Sequence, residues 1–298
     1  MAPLNYATLY EQALQQVYKQ GLKFSALYLN SQASKYRWNG AKTVQIPSIS
    51  VGGFVNSNRD IQQDYARNVD NEWTPYTLTH DRTFMTLIDP MDIDETNMIT
   101  SIANITEVFN TEEKIPEMDK YMASKLYADY VALGGTANTT ALTSANILTV
   151  IDALMEDMDE AEVPSEGRLM YCTPAIKTML KEAQDLQRVL NTDSANGNVD
   201  RSVNRLEELT IIPVPSVRMK SAYDFTEGAV PSVGADQINF FIVHPSCVLA
   251  PQKYEAVFVD PPSAETRGKF KYFERKYWDV FLIEQKFQGY AVNITVVP

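Results

Sequence analysis

The stretch at residues 92–135 most constrains the fold, because it carries the signals of two consecutive amphipathic helices. Pro116 suits the first position of a helix, since an N–H there would have no partner within the helix. Gly134 and Gly135 favour the left-handed backbone that ends one. The apolar residues between these signals recur at spacings of three or four and share one face: Ile115, Met118, Met122, Leu126, Tyr130 and Leu133. The sequence therefore predicts a helix of about 27 Å over residues 116–133.

The helix before it has its own apolar stripe, formed by Met98, Ile99, Ile102, Ile105 and Phe109. Asp92 and Asp94 lie at its entry, where negative charge favours a helix start. Two adjacent apolar stripes need a shared partner, and we expect a sheet to supply it.

A long β-hairpin is predicted before these helices. Residues 43–47 and 73–80 have β-type composition, and a polar segment at 48–72 separates them. A hairpin alone is at most marginally stable in water, so this one should lie on another surface, such as a neighbouring subunit. At the N-terminus, residues 6–29 carry an amphipathic pattern that predicts an arm with one helix.

The rest of the chain predicts an α+β protein. Helix and strand patterns alternate over residues 138–248, which indicates a compact α/β unit. Three further β-type runs follow at 254–259, 270–285 and 290–297, and we expect them to form an antiparallel sheet covered by the helices at 92–133.

The net charge, the hydropathy and the cysteine content disfavour several classes of protein. The 298 residues carry a net charge of −12, which disfavours a protein that grips nucleic acid and allows only weak, non-specific contact. No apolar run approaches the roughly 18 residues of a spanning helix, and no signal peptide is evident, so we expect a cytoplasmic protein without membrane contact. Cys172 and Cys247 are expected to be buried free thiols rather than a disulfide.

No catalytic, metal or cofactor motif stands out. His80 and His244 lack the spacing of metal ligands or of a catalytic base, and both are predicted to be ordinary strand residues. Cys172 precedes a helix start that would stabilise a thiolate, which leaves a reactive cysteine as an alternative. The acidic run at 156–162 is typical of a solvated helix end, with a divalent cation site as the alternative. We therefore predict no enzyme, no cofactor and no metal.

The order of the elements resembles the major capsid proteins of tailed bacteriophages, of the Hong Kong ninety-seven type. Local sequences are similar as well, notably YRWNGAKTVQIP at 36–47, TLTHDRTF at 77–84 and IPEMDKY at 115–121. The resemblance implies an N-terminal arm (1–35), an extended β-hairpin loop (36–89), a peripheral domain with a long spine helix and an antiparallel sheet (90–137 and 249–298), and an α/β axial domain (138–248).

The resemblance also implies a function. Such proteins assemble as pentamers and hexamers into an icosahedral head shell around double-stranded DNA, so the chain would be a virion component assembled in the host bacterial cytoplasm. Its partners would be further copies of itself, with a separate scaffolding protein, a portal and decoration proteins as possible others. The extended loop would contact the adjacent subunit through Trp38, Phe54, Arg59, Trp73 and Tyr76. The alternative for Phe54 and Trp73 is packing within their own subunit.

Two departures from the family refine this expectation. At most one arm helix precedes the hairpin, where some members carry a long scaffolding region, so a separate scaffold or none is implied. Some members join their subunits by a covalent bond from a lysine of the extended loop. In this chain Lys42 is the only lysine in that region, and it lies near the base of the loop. We therefore expect a non-covalent shell.

Two other functions fit parts of the sequence. An encapsulin-like shell shares the fold and encloses a cargo enzyme, so particles with protein cargo and no DNA would favour it. A soluble α/β enzyme would assemble its site from Cys172 and scattered carboxylates, and a monomer with a ligand-sized pocket would favour it.

Overall fold

The computed structural model describes residues 20–29, 36–40, 42–54, 69–95, 102–183 and 203–297. Several predicted features lie outside these ranges: most of the arm helix, the tip of the hairpin with Arg59, and the start of the first helix stripe at Met98 and Ile99. Among the described helices, none combines the length and apolarity needed to cross a membrane.

The predicted hairpin is confirmed. Strand β1 (Arg37–Asn39) pairs with β2 (Thr43–Val51), and β2 pairs antiparallel with β3 (Val69–Thr77) from Thr43↔Thr77 to Val51↔Val69. Its base packs on a small apolar cluster that includes Val44 and Leu78. The hairpin is therefore fixed at one end, and its far half extends away from the body.

The two predicted helices form one continuous rod. After the short helix α2 (Pro90–Glu95), helix α3 (Ile102–Phe109) passes through a π-helical turn at Asn110–Lys114 directly into α4 (Ile115–Ala132). The predicted start at Pro116 is close to that of α4, whose first turn contains this proline, but the backbone is already helical before it, so the expected break between the two helices is absent. The N–H of Ile115 bonds to the carbonyl of Asn110, five residues back, and this local shift of the hydrogen-bond ladder lets a proline without an N–H follow inside a helix. The predicted end at Gly134 is confirmed by its φ of +89°.

A three-stranded antiparallel sheet lies on the first half of this rod. Its strands are β12 (Gln252–Asp260), β13 (Phe270–Trp278) and β4 (Asp81–Ile88), in that order. The expected third strand at 290–297 is not part of it, and β4, which follows the hairpin in sequence, takes that place. Phe84 of β4 stacks on Phe109 of α3 with ring centroids 3.9 Å apart, which joins the sheet to the rod.

The α/β unit contains a five-stranded sheet. Its order is β15 (Tyr290–Thr295), β10 (Gln237–Val243), β5 (Leu169–Cys172), β7 (Leu209–Pro213) and β6 (Arg205–Leu206), and only β5 and β7 run parallel. β15 joins this sheet because the five residues from Tyr290 to Ile294 are all buried and need cover on both faces.

Helices cover both faces of the five-stranded sheet. On one face, α4 packs against Phe241 and Val243, together with Phe24 from the short helix α1 (Ser25–Tyr28) and its flank. On the other face, α5 (Ile147–Glu160) and α6 (Pro174–Glu182) pack against Phe240 and Ile242. The alternation of side chains along β10 thus divides the main core into two layers.

The remaining elements are short strand pairs and 3₁₀ turns. Strands β8 (Tyr223–Asp224) and β9 (Val230–Pro231) form one pair, and β11 (Val248–Leu249) and β14 (Phe281–Leu282) form another. The 3₁₀ turns are Ser216–Arg218, Pro245–Cys247 and Glu284–Gly289. The architecture as a whole is α+β, as predicted.

Candidate functional site

Both histidines have structural surroundings. His80 is buried in the turn between β3 and β4, where its ring stacks on Tyr121 at 3.8 Å and stands nearly perpendicular to Trp278 at 4.2 Å. Its Nε2 lies 3.5 Å from Glu117 Oε1, beyond good hydrogen-bond distance. His244 accepts from the N–H of Ser246 in a 3₁₀ turn. Its Nδ1 also lies 2.6 Å from the Ser246 hydroxyl and its Nε2 lies 3.2 Å from the Glu166 carbonyl, so these ring contacts stay within the turn and the neighbouring loop. Neither histidine lies in a strand, so that detail of the prediction is wrong.

The two cysteines are free and buried, as predicted. Burial raises the pKa of Cys172 to about 11 and that of Cys247 to about 12. Desolvation therefore outweighs any help that Cys172 receives from the helix behind it. These thiols stay protonated near neutral pH, which counts against the reactive-cysteine alternative.

The acidic run at 156–162 forms the end of α5 and the turn after it. The fully buried side chain of Arg168 donates from Nη2 to Asp159 Oδ1 at 2.5 Å and to the Val163 carbonyl at 2.5 Å. Within the described ranges, no three His, Cys, Asp or Glu side chains are grouped closely enough to hold a metal ion. The arrangement favours the helix-end interpretation over the cation site.

A cleft of about 880 Å³ lies between the π-helical turn, strands β4 and β13, and the loop at 226–230. Several of its charged groups are paired: Arg82 Nε lies 2.6 Å from Glu117 Oε1, and Lys114 pairs with Glu274 of the lining and with the neighbouring Glu255. Neither histidine nor cysteine lines it, as far as the described chain shows. The cleft is large enough for a ligand, and ion pairs form part of its lining.

The root of the hairpin is held by buried Asp279. Its Oδ2 accepts from the N–H of Thr79 at 2.7 Å, and its Oδ1 accepts from the hydroxyl of Tyr121 at 2.6 Å. The N–H of Trp278 also donates to the carbonyl of His80 at 3.2 Å. Helix α4, strand β13 and the hairpin meet at this carboxylate, so the hairpin leaves the body in a defined direction.

Trp38 and Tyr76, two of the predicted contact residues, pack within their own chain. The ring of Tyr76 lies 5.3 Å from that of Phe281, and its hydroxyl accepts from the N–H of Glu284. Lys253 Nζ stands 4.2 Å above the ring of Trp38, a cation–π contact. Both residues brace the base of the hairpin, and a contact with another subunit stays a prediction for them.

The far half of the hairpin has an apolar face and a polar face. The register places Pro47 beside Trp73 and Val51 beside Val69, with Ile49 on the same side between them. This apolar face is open: Trp73 is 41% exposed, Ile49 66% and Val51 68%. The opposite face carries Ser48, Ser50, Asp70 and Glu72.

Phe54, beyond the last strand pair, is fully exposed, and Arg59 lies outside the described residues. The structure therefore brings Trp73 to the apolar face and leaves Phe54 open near its end. Sequence reasoning missed Ile49, Val51 and Val69, although the period-two pattern in Ser48–Val51 could have identified the first two.

A second open apolar surface lies on the three-stranded sheet, on the face away from the helices. Phe258, Phe273 and Met85 form a row across its three strands, and Leu87 adjoins it. Met85 is 59% exposed and Phe258 51%. An ion pair between Arg275 and Asp81 borders this patch.

Comparison with solved structures identifies the fold of the chain. No protein-family model matches the sequence, and no curated protein is similar to it. Solved structures do match over nearly the whole chain. A structure from Mycobacterium phage Che8 is 16% identical, with a TM-score of 0.64 over 98% of this chain and 96% of that one.

Two further matches are described as capsids. The mature capsid of bacteriophage PhiM1 is 12% identical, with a TM-score of 0.68 over 99% of this chain and 93% of that one. The capsid of cyanophage P-SCSP1u is 12% identical, with a TM-score of 0.69 over 98% of this chain and 93% of that one. The chain therefore has the fold of these bacteriophage capsid structures, as the resemblance of its sequence predicts.

Proposed function

We propose that this chain is a major capsid protein, which assembles as pentamers and hexamers into an icosahedral shell around the double-stranded DNA of a tailed phage. The observation that carries the proposal is the hairpin: a long β element with one open apolar face, on a root fixed by Asp279. In a monomer this apolar face would stay in contact with water, which costs free energy. Burial of the face against a partner removes that cost.

The partner is a second copy of the chain. The apolar face of the hairpin has no charged side chain among its described residues, and the apolar row at Phe258, Phe273 and Met85 is also flat and open. Within the described part of the chain both surfaces are exposed, and the hairpin of one copy lies on the sheet of the next. Such a head-to-tail contact is heterologous and generates a closed ring when the rotation between copies is right.

The domain roles follow the resemblance. Residues 36–89 act as the extended loop, residues 90–137 and 249–298 as the peripheral domain, and residues 138–248 as the axial domain around the ring axes. Strands β4 and β15 cross these boundaries, since β4 pairs with β13 and β15 pairs with β10. The sheet of the axial domain therefore includes β15 from the peripheral domain. Because they share this sheet, the axial and peripheral domains should move as one rigid body.

The net charge of the chain is consistent with a shell that encloses DNA. A net charge of −12 gives no strong grip on packaged DNA, which leaves the DNA free to be packed and released. Scaffolding, portal and decoration proteins are further partners in this proposal.

The contents of purified particles test it. Particles from infected cells should hold double-stranded DNA that survives nuclease treatment until the shell is opened. Particles that hold a folded cargo protein and no DNA would instead identify an encapsulin-like compartment, and the virion role would be wrong.

A further inference from the structure

Strand β12 is an unusually open edge. Among the residues that the structure describes, it pairs with β13 on one side only, in the strand order β12, β13, β4. Eight of its nine residues are exposed, with apolar side chains on both faces: Val257 is 52% exposed, Phe258 51% and Val259 50%. The irregular register between Gln252 and Tyr254 lies at its start, which leaves a straight run up to Asp260.

Edges of this kind are normally protected. Natural proteins use short edge strands, lysines, prolines or covering loops to keep such an edge from pairing with another chain. The lysine and prolines of this segment lie at its ends: Lys253 at the start of β12, with its Nζ over the ring of Trp38, and Pro251 and Pro261 just outside the strand. The run at 254–260 contains no lysine or proline, and its one inward-facing charge is paired. Glu255 Oε1 lies 3.1 Å from Lys114 Nζ and 3.7 Å from Lys276 Nζ. The free edge of β12 is thus open to pairing.

A closed shell needs a contact of this type. Docking of the hairpin on the next copy makes rings but does not join one ring to another. Contacts about a two-fold axis are isologous, so the surface involved must be complementary to itself. An edge strand meets that condition when it pairs antiparallel with its own copy, because each residue i then faces j and each j faces i.

We propose that β12 pairs antiparallel with β12 of a second copy about a two-fold axis that passes beside Ala256. The pairing joins two three-stranded sheets into one of six strands and links neighbouring rings. This inference rests on the shell function proposed above.

Cross-strand neighbours support this register. With Ala256 on the axis, Tyr254 lies opposite Phe258 of the second copy, and the pair occurs twice. Glu255 lies opposite the second copy's Val257, so no like charges face each other. At the ends of the ladder, the amide of Gln252 reaches Asp260 of the second copy. Ala256, which has the smallest side chain of β12, lies where the two strands come closest to each other.

Cysteine cross-linking tests the contact. Ala256→Cys adds a half-buried thiol and Val257→Cys an exposed one, and the two native thiols are buried. Across the axis Ala256→Cys faces its own copy, with Cβ atoms about 4.5–5.5 Å apart, so oxidation should join the two thiols. Val257→Cys lies diagonally across from its own copy, about 7–8 Å away, so a short thiol-specific linker should capture that pair. Thr83→Cys is the matched control, since it is exposed on β4, at the opposite edge of the same sheet.

Disulfide-linked dimers from assembled particles of Ala256→Cys and linker-captured dimers of Val257→Cys, with neither from Thr83→Cys, support the two-fold pairing. Shells that form normally without such dimers overturn it and leave the shell function intact. A second variant, Val257→Lys with Val259→Lys, puts charge on the free edge, where both side chains are exposed. It should give rings that fail to close, and normal closure would also overturn the pairing. If the natural chain itself never forms rings, the proposed shell function is wrong.

Discussion

Arg218 Nη1 lies 2.6 Å from Asp119 Oδ2, and both side chains are buried beneath the segment that leads into helix α1. The carboxylate also accepts from the N–H of Lys23 and of Phe24, at 3.1 Å each. The guanidinium donates in turn to the carbonyls of Gly21 and Gln20. One ion pair thus ties residues 20–24 to the long helix and seats Phe24 in the core.

Removing one partner of this pair should strongly destabilise the protein. Arg218→Met leaves the buried Asp119 carboxylate without its cation, a change that costs about 3–5 kcal/mol in comparable sites. Urea denaturation should therefore show a lower free energy of unfolding. The double variant Asp119→Leu with Arg218→Met should recover part of the loss, because no unpaired charge remains. Arg205→Met, at an exposed position, is the control, and an Arg218→Met variant as stable as this control would contradict the account.

Glu117 should make stability depend on acid pH. Burial raises the pKa of its carboxyl, but the interactions with the nearby His80 ring and with Arg82, which donates a hydrogen bond at 2.6 Å, lower it further, so the folded value lies below the usual 4.5. A lowered folded pKa contributes stability above the unfolded value, and that stability is lost as the pH falls through the folded value.

The free-energy gap between the natural chain and Glu117→Gln should therefore be widest near neutral pH and narrow below about pH 4.5. Denaturation curves at a series of pH values measure it, with exposed Glu265→Gln as the control. A gap that stays constant down to about pH 3 would show that Glu117 does not carry this dependence.

The native thiols should resist alkylation. The pKa values of about 11 for Cys172 and about 12 for Cys247 keep both protonated at pH values well below 11, and burial excludes the reagent. Iodoacetamide should label neither residue in the folded protein and both in denaturant, as mass spectrometry would report. The exposed thiol of Val257→Cys is the positive control. Full labelling of Cys172 in the folded chain would revive the reactive-cysteine interpretation.

The apolar face of the hairpin should be needed for assembly and not for folding. Phe54→Asp with Trp73→Asp puts charge on this face, where desolvating it against a partner is costly. We expect an unchanged free energy of unfolding and a loss of rings and shells in electron micrographs. Deletion of residues 48–72 should act in the same way.

The matched control is Ser50→Asp, which adds a charge to the polar face of the same hairpin. It should assemble normally. If the doubly charged variant also made normal particles, Phe54 and Trp73 would not be contact residues.

Local signals were sufficient to predict several elements from the sequence. The hairpin follows from two β-type runs around a polar segment, and the end of the long helix follows from Gly134, whose φ is positive. The stripe at Met118, Met122 and Leu126 is buried as its spacing predicts. These features depend on residues close together in the chain.

Features that depend on distant contacts were not predicted. The π-helical turn carries Lys114 to Glu274, 160 residues away in sequence, and nothing local in Asn110–Lys114 indicates it. The placement of β15 depends on β10, and that of β4 depends on β13. The ion pair of Asp119 and Arg218 joins residues 99 positions apart. At the hairpin, only the strand register separates Trp73, on the open face, from Tyr76, which is packed inward.

The most direct test of the central claim is the mass and shape of the purified chain, measured together by light scattering and negative-stain electron microscopy. The account predicts rings of five and six subunits and closed icosahedral shells built from them. A protein that stays a monomer of 33.6 kDa at every concentration, and also when expressed with the other head proteins of its source, would contradict it.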